Sequence, residues 1–151
     1  MAEILIDRLD PTDLKLLTHL NNQVFRPERD VAFFERRFRS RMNPLVLGAR
    51  IASDAVGFMV GMELKPSVFF AWLVGVLPDA RRMGVATQLM EAAEGWARER
   101  EYRAIRFECG NQHRAMMHFG VAAGYDIIGL RWDVDRSENL IIFEKFIGAA
   151  L

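Results

Sequence analysis

Hydrophobic and polar positions along this chain follow two rhythms, and the switches between them predict the elements. "AEILIDRL" at the start alternates weakly and predicts a strand. Asp10 then serves as an N-cap with Pro11 at the first helical position, and Leu14, Leu17, Leu20 and Val24 give an apolar stripe at three- and four-residue spacing. "ERDVAFFERRFRSR" predicts a second helix with Val31, Phe34 and Phe38 inward. "PLVLGARIA" and "AVGFMVGMEL", joined by a turn at Ser53-Asp54, predict a hairpin. "VFFAWLVGVL" is apolar at both alternating sets of positions, the mark of a central strand covered on both faces. A long helix follows from about Arg81 to Arg100, with Val85, Leu89, Ala92 and Trp96 on one stripe and Ala86, Met90, Ala93 and Ala97 on the next.

"RAIRFEC" predicts another strand, and Gly110-Asn111 opens a helix that ends at Gly124, a residue suited to a left-handed C-cap. "DIIGLRWDV" and "NLIIFEKFI" close the chain as a hairpin around "DRSEN". The order β-α-α-β-β-β-α-β-α-β-β predicts an α/β fold with a mixed sheet and helices on both faces. No repeat or linker divides the 151 residues, so one domain over residues 1–151 is expected.

Composition narrows the function classes. Lys+Arg and Asp+Glu both number 20, and this zero net charge argues against a generic nucleic-acid binder. It also leaves little repulsion against self-association, so a homodimer stays open. The single cysteine, Cys109, rules out an intrachain disulfide and fits a reducing compartment. The longest apolar stretch, Val68 to Leu77, is too short to span a bilayer as a helix. A soluble cytoplasmic protein with no membrane partner is expected.

The chemistry concentrates in "VGVLPDARRMGVATQLM", where an apolar strand meets a helix. The first turn of a helix has amides without intrahelical partners and the positive end of the helix dipole, so it seats anions. Gly84 lets an anion approach the backbone, Arg81 and Arg82 add guanidinium donors, and Thr87 adds a hydroxyl. Neither G-x-x-x-x-G-K-[ST] nor G-x-G-x-x-G is present.

This segment resembles the acyl-CoA-binding signature of the GNAT superfamily of N-acetyltransferases. That signature, V-x-P-x-x-R-x-x-G-x-G/A before an apolar helix, is matched by Val76, Pro78, Arg81, Gly84 and Ala86. The element order also matches the family fold of about seven strands flanked by four helices, so the resemblance runs along nearly the whole chain. It implies acetyl-CoA as co-substrate and an amine as acceptor. The main-chain amides of Arg82, Met83, Gly84, Val85, Ala86 and Thr87 would hold the coenzyme's diphosphate. Val74, Gly75 and Val76 would pair with its pantetheine arm, with Gly75 a site for the bulge the family carries there. Asn111 matches an asparagine that contacts the coenzyme; a helix N-cap is the alternative role.

The resemblance also exposes a gap. A Lys-like amine has a pKa of about 10.4, so a general base should remove its proton before attack on the thioester. Glu108 on "AIRFEC" is the candidate, against an ion pair with Arg106; Glu63 and His118 are weaker candidates. The family often supplies an acid for the leaving thiolate as a tyrosine. Here the position falls on Phe119 counted from Ala115, or on Gly120 counted back from Gly124. Neither is an acid, which keeps a non-catalytic acyl-CoA-binding module as an alternative. His113 and His118 lie five apart and do not share a helix face, so no metal site is expected. Cys109 reads as a small buried hydrophobe rather than a nucleophile. The basic run Arg36, Arg37, Arg39 and Arg41 reads as a solvated face or a flank of the acceptor or of the coenzyme's 3′-phosphate. Residues 26–42 and the "DRSEN" turn are expected to set the acceptor.

Overall fold

The computed structural model describes residues 3–148. Residues 1–2 and 149–151 of the expected 1–151 domain, Ala2 of the first strand among them, lie outside the described residues. The elements are β1 (Ile4–Leu9), α1 (Lys15–Val24), α2 (Val31–Phe38), β2 (Leu45–Ile51), β3 (Asp54–Lys65), β4 (Val68–Val76), α3 (Val85–Glu99), β5 (Ala104–Gly110), α4 (Arg114–Ala122), β6 (Asp126–Asp133) and β7 (Glu138–Phe146), with a 3-10 turn at Pro78–Ala80. The seven strands form one sheet in the order β1-β2-β3-β4-β5-β7-β6. All neighbours are antiparallel except β4 and β5.

Two apolar layers follow from the two faces of the sheet. On one face Val85, Leu89, Met90, Ala93 and Ala97 of α3 are buried against Leu45, Met59, Phe69 and Phe107, with Met116 and Phe119 of α4 packed beside them. On the other, Leu17 and Leu20 of α1 and Phe34 of α2 are buried against Val46, Phe58 and Val60. Each large apolar side chain removed from water in this way contributes about 1.5–3 kcal/mol. Strand β4 sits fourth of seven, with Val68 to Ala71 all buried, as its continuous apolar sequence predicts.

The seam between β4 and β5 is the feature that makes a site. The two strands pair only over Val68–Ala71 and Ala104–Phe107. Beyond that point β4 carries a bulge. Ala71 pairs with Gly61 and Leu73 with Val60, leaving Trp72 unmatched on β3. The bulge therefore lies at Trp72 and not at the expected Gly75, which pairs in register with Phe58. Gly75 is small for another reason: a Cβ there would stand 2.5 Å from the Phe58 ring. Past Trp72 the end of β4 has no partner on its β5 side.

Helix starts differ from expectation in three places, each for a local reason. The Asp10 carboxylate accepts from the Thr12 amide at 2.9 Å and from its hydroxyl at 2.7 Å. This closed turn competes with helix, and α1 begins at Lys15. Arg82 and Gly84 are left-handed (φ 66° and 86°), so α3 begins at Val85 rather than Arg81. Strand β5 stays paired to β7 through Gly110, and the Asn111 amide donates to the Asn139 carbonyl at 3.1 Å. Helix α4 consequently starts at Arg114 with His113, not Asn111, in the N-cap position.

Candidate functional site

Where β4 and β5 part, a cavity of about 610 Å³ opens. Its floor is Val74, Gly75 and Val76, and one wall is the segment from Arg81 to Thr87, Met83 excepted. The opposite walls are Val24 and Phe25 at the end of α1, and His113, Ala115, Met116 and Phe119 from the start of α4. Nine of the eleven residues expected to hold the coenzyme thus line one space: Val74, Gly75, Val76, Arg81, Arg82, Gly84, Val85, Ala86 and Thr87. Met83 points elsewhere and is about half exposed. Asn111 is exposed and does not line the cavity.

The segment before α3 is an unfilled row of donors. Arg81 donates its amide to Pro78 O at 3.3 Å, and the first bond into α3 runs from Gln88 to Gly84 O at 3.1 Å. Between them, among the described residues, the amides of Arg82 to Thr87 donate to no backbone carbonyl. Left-handed residues at Arg82 and Gly84 belong to the kind of loop whose consecutive amides form an anion-binding concavity, here set at a helix N-terminus. A Cβ on Gly84 would meet no protein atom within 4 Å, so space beside this backbone is open. The Arg81 side chain is already engaged: its Nε donates to Val76 O at 3.1 Å and ties the loop to the end of β4. Arg82 is exposed and forms no ion pair among the described residues. A diphosphate fits this donor set in charge and in hydrogen-bonding capacity.

Comparison with known proteins gives the family. The family model described as Acetyltransferase (GNAT) family matches residues 14–125. The chain belongs to the GNAT acetyltransferase family. Its fold is similar to that of the ribosomal-protein-S18-alanine N-acetyltransferase from Escherichia coli. That match has a TM-score of 0.83 at 18% identity and covers 99% of this chain and 97% of that one. Ard1 from Thermoplasma volcanium matches with a TM-score of 0.79 at 21% identity, over 95% and 97% of the two chains. A GNAT acetyltransferase from Elizabethkingia anophelis, solved with acetyl-CoA bound, matches with a TM-score of 0.78 at 12% identity, over 95% and 97%. No curated protein matches the sequence.

With the GNAT assignment made, the position of the missing tyrosine can be read. Phe119 lines the cavity. Gly120 faces the core, where a Cβ would stand 2.8 Å from Phe143 and 2.9 Å from Phe107. The two tyrosines are committed elsewhere. Tyr125 donates to Glu94 at 2.7 Å, and burial first, then this carboxylate, pushes its pKa up. Tyr102 donates to Glu63 at 2.8 Å, which also gives Glu63 a structural partner. Among the described residues lining the cavity there is no carboxylate and no tyrosine, and His113 is the one histidine.

Glu108 stands on β5 one residue past the last pair with β4, at the point of divergence but outside the cavity lining. Its side chain is 14% exposed and is ion-paired with Arg131 of β6. Arg106 instead pairs with Glu144, at 2.7 Å. His118 is exposed on α4 away from the cavity. Cys109 is buried in the α3-side layer, and desolvation, helped by Glu138, pushes its thiol up to about 11, the opposite of what a nucleophile needs. No cluster of three or more His, Cys, Asp or Glu among the described residues could hold a metal ion. No helix among them is long and apolar enough to cross a membrane.

Sequence reasoning missed the α1 wall and His113. Val24 and Phe25 end a helix whose stripe looks like ordinary core, and only the tertiary fold brings them to the slot. His113 sat in a segment read as helix interior, and its N-cap position results from β5 persisting to Gly110.

Proposed function

We propose that this protein is an acetyl-CoA-dependent N-acetyltransferase acting on a primary amine, working as one cytoplasmic domain. The observation that carries the reading is the run of unpartnered amides from Arg82 to Thr87 beside the parted strands. Those amides would bind the diphosphate, and the free edge of β4 at Val74 to Val76 would pair with the pantetheine arm. When bound, acetyl-CoA supplies the electrophilic thioester. Main-chain donors on the open β4 edge would stabilise the oxyanion that develops as the amine attacks. Glu108 is our candidate base. Arg131 fixes its carboxylate at the mouth of the divergence, within reach of the acceptor through water. The bond made is N–C and the bond broken is C–S; the amine proton leaves through Glu108 and solvent.

Phe119 offers no proton to the departing sulfur. We assign that step to solvent, or to the His113 imidazole that lines the cavity. The alternative of a non-catalytic binding module is not favoured, because the family and the fold neighbours are acetyltransferases. The test has two arms on the full chain. Calorimetric titration with acetyl-CoA should show saturable binding, and thiol release across an amine panel should show turnover. No binding would sink the reading; binding without release on any amine would reduce it to the module.

A further inference from the structure

A second, smaller recess lies on the α1–α2 face, beside the slot. It is lined by Phe25, which also walls the large cavity, and by Arg26, Arg29, Phe33, Trp72 and Arg136. Four segments meet there: the loop after α1, the first turn of α2, the bulge of β4 and the β6–β7 turn. Its charged lining residues are all arginines.

The arginines are held in place without using up their charge. Asn22 pins the loop by accepting from the Arg29 amide and donating to its carbonyl, both at 2.8 Å. The Arg29 guanidinium lies 4.3 Å over the Phe33 ring, and the Arg37 guanidinium 4.4 Å over Trp72; the two rings are 5.8 Å apart. Stacking fixes a guanidinium plane while leaving its N–H edges for a ligand. Among the described residues, Arg26, Arg29 and Arg37 have no carboxylate within 4.0 Å. Arg136 has only a long contact with Asp133, at 3.9 Å. The Nε of Arg37 is buried with no hydrogen-bond partner. Burial, then repulsion from Arg41 and Arg131, lowers the Arg37 pKa, and Glu108 offsets this in part. Of the nearby acids, Asp30 caps α2 and Glu108 is taken by Arg131, while Glu28 and Asp135 pair with none of these arginines.

In a chain of zero net charge, this surplus sits beside the point where the strands part. We infer that the acceptor is an amine with an acidic side chain, whose carboxylate the recess arginines bind while its amino group reaches the slot past Phe25. Arginine forks match the planar carboxylate with paired, charge-assisted hydrogen bonds. A cationic acceptor such as a polyamine would meet repulsion instead. This inference rests on the transferase reading. The carboxylate belongs to a free acidic amino acid or to an acidic peptide N-terminus, and the test separates the two.

The experiment compares amines that differ only in carboxylate against amide: glutamate with glutamine, and an acidic-N-terminal peptide with its amidated counterpart. Spermidine is the cationic control. The carboxylate member of at least one pair should show a KM lower by about tenfold or more, the worth of one charge-assisted contact, and added salt should shrink the gap. The pair that shows it names the source. The Arg29→Gln/Arg136→Gln double variant should erase the gap while acetyl-CoA affinity, read by calorimetry, stays at the parent value. If the double variant melts early, Arg136→Gln alone, on an exposed turn, should narrow it. Equal KM values within both pairs, or a preference for spermidine, would overturn the inference and leave the transferase reading standing. If no amine is turned over, calorimetry of glutamate and the acidic peptide onto the coenzyme-A-saturated protein decides, and absence of heat from both overturns it. Failure of acetyl-CoA to bind would overturn the transferase reading first.

Discussion

The two ends of the slot are built from different materials. At the α3 end the donors are peptide amides, held open by a left-handed arginine and a left-handed glycine. At the α1–α2 end they are guanidinium groups laid on aromatic rings and brought together from three segments. A main-chain seat has fixed geometry and little choice of ligand beyond charge and size, which suits a co-substrate that never varies. A side-chain recess can be rewritten one residue at a time, which suits an acceptor that differs from one member of a family to the next.

That contrast can be broken most sharply at Gly84. Gly84→Glu forces a side chain into a positive φ, at about 1–2 kcal/mol, and sets a carboxylate against the free amides. Acetyl-CoA affinity should fall more than about 100-fold; an unchanged dissociation constant in calorimetry would place the anion elsewhere. At the other end, Glu108→Gln should lower kcat by about 100-fold, the scale of losing a general base, with acetyl-CoA affinity within about twofold of the parent. A kcat near the parent value would leave Glu108 as the anchor of Arg131 and nothing more.

Between the two ends, Phe119→Tyr returns a hydroxyl to the cavity wall. A rise in kcat of about two- to tenfold is expected if proton delivery to sulfur limits the rate; a flat kcat would mean that thiolate departure is not limiting. The smallest effect on transfer is expected at Cys109, which lies in the core away from both ends. Its thiol sits at about 11 against an ordinary 9.0. Below pH 9 both folded and unfolded chains keep this proton. Between pH 9 and 11 the unfolded chain releases it first, so stability falls as pH rises and this contribution is gone above the folded value. Cys109→Ala should lose less stability across that window by up to about 2 kcal/mol, read from denaturant midpoints, with transfer at neutral pH unchanged.

The same division explains what could be read in advance. Strands and helices were legible because each buries its own stripe: Leu89 and Met90 on α3, or Val68 to Ala71 on β4, announce themselves by spacing. The segment proposed to hold the coenzyme was legible because it is one short run whose residue types derive from helix-terminus electrostatics. The exact helix starts were not, since Asp10 turned back on Thr12 and Arg82 left helical space. The proposed acceptor end was opaque. Phe25, Trp72 and Arg136 mean nothing together until the chain folds, and the basic run around Arg37 looks like any solvated face. Only the stacking on Trp72 and the unpartnered Nε set Arg37 apart from it.

The single unmatched residue at Trp72 also sets the parity of the remaining strand. Before it Phe69 and Ala71 face the α3 layer; after it Val74 and Val76 do, while Trp72 and Leu73 both turn toward α1 and α2. A regular strand would have sent Val74 and Val76 the other way. The tip of β4 is therefore far more vulnerable to losing a residue than to exchanging one. Excising position 72 would rotate every later side chain of the strand to the wrong side of the sheet, a reading-frame error written in three dimensions.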